Sequence, residues 1–288
     1  MPNGIIIVNK PAGWTSQDVA AKLRGVFHEK RVGHGGTLDP MATGVLPVFV
    51  GRATRAVEFF EHADKEYIAT LRLGTVTDTQ DTTGTVLETH PVDITQTQLQ
   101  EALAAFTGEI DQLPPMYSAI KINGQKLYEL ARRGKEVERK PRRITVFELE
   151  LLSGEGTNWQ LRIHCSKGTY VRTLCADIGE YLGCGGCMAS LQRTKAGAFS
   201  LAQAHTMDEL IMAADPETLL LPADELFSDS PALTANASAE RKLRNGASVK
   251  TTAADGDYRV YSETGEFLLL GRAAGGMLAT VKSFFEVN

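Results

Sequence analysis

The sequence predicts an α+β fold: a mixed, largely antiparallel sheet with interleaved helices, followed by a small C-terminal β domain. Three observations lead there. The strand-like segments mostly alternate apolar and polar residues instead of running apolar throughout, as strands of a doubly wound parallel sheet would. Helix-start signals fall between those segments. Around Leu226-Phe-Ser-Asp-Ser-Pro231 the composition turns to small polar residues, and short strand-like runs separated by glycine follow. This reads as a linker and sets expected domains at 1–230 and 231–288.

In chain order, Ile5 to Val8 is a short apolar run of buried-strand type. The Lys10-Pro11-Ala12-Gly13 turn leads to Ser16, an N-cap candidate for a helix carrying Val19, Leu23, Val26 and Phe27 inward. Lys65 to Leu73 alternates, with Tyr67, Ala69, Leu71 and Leu73 on one face. Thr145 to Leu151 groups Phe147, Leu149 and Leu151, and Trp159 to Cys165 groups Trp159, Leu161, Ile163 and Cys165. Thr95 with Gln98 forms a capping box for a helix that Gly108 can close, and Thr206 with Glu209 repeats the device. After the linker, Tyr258 to Tyr261, Phe267 to Leu270 and Met277 to Val281 are strand-like. No internal repeat or low-complexity tract interrupts the chain.

With 288 residues and 43% hydrophobic composition the chain can bury a substantial core. Neither a signal peptide nor an apolar stretch of membrane-span length is found, so a cytoplasmic address with no membrane contact is expected. Four cysteines are too few for a disulfide framework, and reduced thiols are expected. Cys184-Gly-Gly-Cys187 has half the spacing of a zinc site but no matching second pair, which favours a packed loop and no metal.

A net charge of −5 hides a segregated pattern. Residues 121–143 hold nine lysines or arginines against three glutamates, a patch suited to a polyanion. From Ala196 to Glu240 no lysine or arginine occurs while acidic residues recur, so that stretch should avoid phosphate. A solvated surface would also explain the basic run.

The chemistry points to Val32–Pro47. There a lone carboxylate, Asp39, lies between a glycine pair, Gly35 and Gly36, and Pro40. The glycines allow close backbone approach, and the proline biases Asp39 toward extended geometry. Such residues also make ordinary turns. The chain lacks a phosphate-binding Gly-x-x-x-x-Gly-Lys-[Ser/Thr] loop, Gly-x-Gly-x-x-Gly, a Gly-x-Ser-x-Gly elbow and His-Glu-x-x-His. A reaction needing only a positioned carboxylate, glycosidic cleavage or isomerisation, suits that inventory. A glycosidase would need a second carboxylate across the bond, and Asp78 and Asp81 better suit a turn. A non-catalytic RNA-binding module would explain the basic run equally well.

Six ordered blocks resemble the bacterial TruB-type tRNA pseudouridine-55 synthases. They are Asn9-Lys-Pro-Ala-Gly13 with Thr15 and Ser16; Gly33-His-Gly-Gly-Thr-Leu-Asp-Pro40 with Gly44-Val-Leu-Pro47; Lys65-Glu-Tyr67; Gly74 with Thr77-Asp-Thr79, Asp81 and Gly84; Pro114-Pro-Met-Tyr-Ser-Ala119 with Gly124-Gln-Lys-Leu-Tyr128; and Cys165-Ser-Lys-Gly-Thr-Tyr-Val-Arg-Thr173. Where that family commonly has His-Thr-Gly, this chain has His34-Gly35-Gly36. The resemblance implies a pseudouridine synthase catalytic domain with a PUA-like C-terminal domain, acting without a cofactor on the T arm of tRNA as a monomer with no protein partner. It implies Asp39 as nucleophile, Tyr67 and Arg172 as its catalytic companions, and His34, Tyr170, Leu191 and Lys10 as substrate-binding residues. The basic segment, about 118–143, would be an inserted RNA clamp.

Overall fold

The computed structural model describes residues 1–118, 120–122 and 124–286. Ala119, part of the fifth block, lies outside the described residues. A ten-stranded sheet organises the chain. Its main path runs His205–Thr206, Gly4–Lys10, Thr43–Val50, Gly186–Ala196, Lys65–Leu73, Asn158–Cys165, Arg142–Glu155, Gly108–Gln112, with Val32–His34 paired to Thr43–Val50 and Phe199–Ser200 to Gly186–Ala196. Two junctions are parallel, His205–Thr206 with Gly4–Lys10 and Thr43–Val50 with Gly186–Ala196, and the rest are antiparallel. The sheet is therefore mixed and largely antiparallel, as its alternating strands predict.

Helices Ser16–Val26, Gln96–Ala105 and Val171–Tyr181 bury apolar residues against one sheet face: Val19 and Leu23, Leu99 and Leu103, Leu174 and Ile178, over Tyr67, Ala69, Leu71, Leu161 and Ile163. The other face is covered at one end only. There Ile5, Ile7, Val45 and Phe49 pack with Ala53, Phe60 and Phe199 and with Phe227, Leu270 and Phe284 from the C-terminal part. That part is a five-stranded sheet, Ala232–Ala235, Gly256–Ser262, Phe267–Ala274, Met277–Ser283, Val249–Lys250 in spatial order, with the helix Ala237–Arg244 and its own small core around Val260, Leu268 and Leu243. Its two outer strands and this helix are short, and no sequence pattern announces them.

Three local expectations change. The first helix is capped by Thr15, in a reciprocal box with Asp18, and not by Ser16. Phe147 does not share the inward face with Leu149 and Leu151. The pairing of Arg142–Glu155 with Asn158–Cys165 shifts register between Val146 and Glu148, a bulge that turns Ile144 and Val146 inward and leaves Phe147 48% exposed against the His164 ring. The 226–231 stretch is no loose linker: Phe227 is buried among Phe59, Phe267 and Phe284, in the seam between the two sheets. All four cysteine thiols are free and buried, Cys184 and Cys187 among them.

Candidate active site

Asp39 sits on the loop between Val32–His34 and Thr43–Val50, and that loop is fastened from both sides. The Ser16 hydroxyl, 2% exposed, accepts from the Leu38 N–H at 2.9 Å and donates to the Leu38 carbonyl at 3.2 Å. Being the first helical residue, Ser16 reaches sideways to the loop while Thr15 caps. Lys10, fully buried at the end of its strand, donates to the carbonyls of Pro11, Trp14 and Pro40 at 2.9, 2.7 and 3.3 Å, and the Gly13 N–H donates to the Pro40 carbonyl at 2.7 Å. Burial lowers the Lys10 ammonium to about 8, against the pull of the Asp39 charge. From the opposite side Arg193 donates to the carbonyls of Val45 at 2.6 Å and Gly36 at 3.2 Å. The carboxylate stays 35% exposed while its backbone is locked.

Gly35 explains the departure from His-Thr-Gly. A Cβ there would meet the Phe60 ring at 2.4 Å and Phe49 at 3.0 Å, so an aromatic of the second core occupies the room a threonine would take. At Gly44, where φ is +101°, a Cβ would strike the Arg193 carbonyl at 2.2 Å, which is why the two parallel strands can meet there.

Arg172 lies in the first turn of Val171–Tyr181, aimed at the loop. Its Nε lies 3.0 Å from Asp39 Oδ2 and its Nη2 3.4 Å from Oδ1. The same guanidinium donates to the carbonyls of Tyr117 at 2.9 Å and Thr79 at 3.2 Å, and its Nη1 is 3.5 Å from Asp81 Oδ2. Asp81 is more than a turn residue. It is 4% exposed, and its Oδ1 accepts from the Thr79 hydroxyl and from both the N–H and the hydroxyl of Thr83. One buried arginine thus joins two carboxylates, one held fast and one partly exposed. Burial pushes the Asp39 carboxyl above the ordinary carboxylate range; Arg172 and Lys10 oppose that rise and Asp81 adds to it.

Tyr67 lies on the inward face of Lys65–Leu73, directly opposite Arg193 on the neighbouring antiparallel strand. Burial raises its phenol, and Arg193 and the Asp39 charge act on it in opposite senses. Arg193 is 1% exposed, and among the described residues it has no carboxylate within 4 Å. With Lys10 and Arg172 it makes three buried cations beside two carboxylates, an imbalance suited to negative charge on a ligand. Tyr170 ends the loop before the Arg172 helix, its phenol raised by burial and touched by the charges of Arg172 and Asp39. Leu191, 8% exposed, lies two residues before Arg193. His34 ends its strand half-buried, kept toward the neutral form by burial and by Arg193. Its Nδ1 is buried with no hydrogen-bond partner among the described residues.

Six of the seven expected residues therefore gather round one loop, and Leu191 lies on the Arg193 strand beside them. Arg193, Asp81 and Ser16 join them without having been expected there. The available signal for Arg193 was its parity with Leu191 in an otherwise inward-facing run; Asp81 looked like a turn acid because its ligands are supplied by folding. In the basic segment 118–143, Lys121–Ile122 and Gln125–Lys126 form a hairpin leading to the short helix Leu127–Ala131. Lys126 and Arg132 each approach the Tyr128 ring at 5.4 Å. Arg139 pairs with Glu136 and Arg143 with Asp111 at 3.0 Å, whereas Arg132, Arg133, Lys135, Lys140 and Arg142 have no carboxylate within 4 Å among the described residues.

By fold and by sequence the chain is a pseudouridine synthase. The architecture matches a chain of a crystallised Cbf5–Nop10–Gar1 complex with a TM-score of 0.74 at 26% identity, over 98% of this chain and 85% of that one. The description "TruB family pseudouridylate synthase (N terminal domain)" matches residues 24–171, and "tRNA pseudouridylate synthase B C-terminal domain" matches 172–228. A tRNA pseudouridine synthase B of Clostridium kluyveri is 42% identical over 98% of this chain and 99% of its own length; one of Chromohalobacter salexigens is 46% identical over 85% and 80%. The chain belongs to the TruB family of pseudouridylate synthases.

Proposed function

We propose that this enzyme converts uridine 55 in the T loop of tRNA to pseudouridine, with Asp39 as nucleophile on an everted nucleotide. The supporting observation is a partly exposed carboxylate on an immobilised loop, chelated by Arg172 and overlooked by the buried Tyr67 and the half-buried Tyr170. Ionised Asp39 attacks the ribose or assists departure of the uracil, and the N1–C1′ bond breaks; the base turns in place, C5 joins C1′ as any bond between Asp39 and the sugar is released, and the proton lost from C5 is balanced by one gained at N1. Arg172 keeps Asp39 charged and oriented. Tyr67, opposite Arg193 on the neighbouring strand, lies against the base and takes part in the proton transfer. Tyr170 and Leu191 wall the uracil, His34 stacks with displaced nucleotides, and Lys10 holds the loop. No cofactor is needed, since the reaction is an isomerisation. Eversion of the base costs a few kcal/mol, offset by stacking of about 1–3 kcal/mol per base and by phosphate contacts. Those contacts come from the cations of 121–143 that have no carboxylate partner among the described residues, reading phosphate and shape. The reading includes a catalytic domain to about residue 230, a PUA-like domain from 231, a monomeric state and a cytoplasmic site of action; among the described residues no helix is long and apolar enough to cross a membrane.

The deciding experiment incubates the pure protein and its Asp39→Asn variant with an unmodified T-arm transcript and maps pseudouridine. The parent should modify the T-loop uridine, and the variant should bind the RNA yet leave it as uridine. Parent-like conversion by the variant removes Asp39 from its role.

A further inference from the structure

We propose that Gln112 is a positioning residue for this reaction, setting the Tyr170 backbone and so holding Arg172 against Asp39, in a strap that links the RNA-facing segment to the catalytic carboxylate. The inference rests on the roles given to Asp39 and Arg172 above. Gln112 is the last residue of the edge strand Gly108–Gln112, is 2% exposed, and stands where the chain leaves the sheet for the clamp segment. Its side-chain amide makes the two bonds a neighbouring strand would make: the Tyr170 N–H donates to Oε1 at 2.8 Å, and Nε2 donates to the Tyr170 carbonyl at 3.1 Å. Tyr170 needs them. It is the extended residue just before the helix Val171–Tyr181 and has no side-chain cap bond of its own. Arg172 follows two residues later.

The strap grips that guanidinium a second time, through the Tyr117 carbonyl at 2.9 Å. Its outer side carries the clamp: the Tyr128 N–H donates to the Ser118 carbonyl at 3.0 Å, and Arg139 donates to the Pro114 carbonyl at 3.0 Å. Gln112, whose own backbone pairs with Arg142, is the fixed end of this strap. A primary amide is required because it presents one donor and one acceptor with the spacing of a peptide group. Glutamate keeps only the acceptor, leucine neither.

The test uses the full chain and the T-arm transcript, with Gln112→Leu, Gln112→Glu and, as reference, Arg172→Met. Single-turnover rate against pH, RNA Kd and circular dichroism are measured. For both Gln112 variants we expect a rate lowered about tenfold or more, Kd within about twofold of the parent, and an acid limb moved to higher pH because Arg172 no longer holds Asp39 down. Should Gln112→Leu fail to fold, Gln112→Glu decides. Parent-like rate and acid limb in a folded Gln112 variant, with Arg172→Met impaired, overturn the inference; an unimpaired Arg172→Met overturns the underlying reading of the site instead.

Discussion

At the scale of single residues, the same few side chains bind the loop and set its charge. Arg172 donates to both Asp39 oxygens while burial raises the carboxyl. The group must be ionised to act, so the rate should fall as pH drops through a value above the ordinary carboxylate range. In Arg172→Met the lowering influence is gone and Asp39 binds its proton more tightly; the acid limb should move to higher pH. An unchanged limb in single-turnover profiles would separate Arg172 from the ionisation. Gly35 offers a packing test. Gly35→Ala puts a methyl into the Phe60 ring, 1% exposed, and should cost about 1–3 kcal/mol. Phe60→Leu should recover part of that loss in a double-mutant cycle read by denaturant unfolding. Asp39 was legible in the sequence because glycine and proline mark a loop whatever surrounds it. Arg193 was not, because a strand arginine is ordinarily solvent-facing, and only burial on the Tyr67 face makes it a site residue.

At the scale of elements, alternation located Lys65–Leu73 to the residue and Asn158–Cys165 to within one, since every second side chain faces a core. It misplaced Phe147 because a bulge adds a residue that no periodicity reveals. The consequence is measurable. Leu161→Ala, at a fully buried position, should cost about 2–5 kcal/mol, whereas Phe147→Ala should stay within about 0.5 kcal/mol. A large loss at Phe147 would deny the bulge. In the clamp, Arg132, Arg133 and Lys135 are exposed or partly so and unpaired among the described residues, while Arg143 is engaged by Asp111. Replacing the first three by glutamine should weaken T-arm binding and flatten its salt dependence, by up to about one unit of slope for each phosphate no longer neutralised. Equal slopes would move the RNA elsewhere. Arg143→Gln should alter the slope less.

Across the whole molecule, two sheets meet along an aromatic seam, with Phe227 between Phe59 on one side and Phe267 and Phe284 on the other. Lys282 adds an ion pair to Glu58 at 2.5 Å. Phe227→Ala should destabilise by about 3 kcal/mol or more and make the two sheets unfold separately in calorimetry; a single unshifted transition would show that the seam does not couple them. By itself the amino-acid order determined the sheet type, most helix starts, the Asp39 loop and the cationic stretch, because each depends on neighbours close along the chain. Tertiary structure alone decided which acids and bases meet. Asp39, Asp81 and Arg172 come from three segments far apart in the chain, and the ionisation of Asp39 reflects burial and the charges placed beside it, which no local pattern of residues encodes.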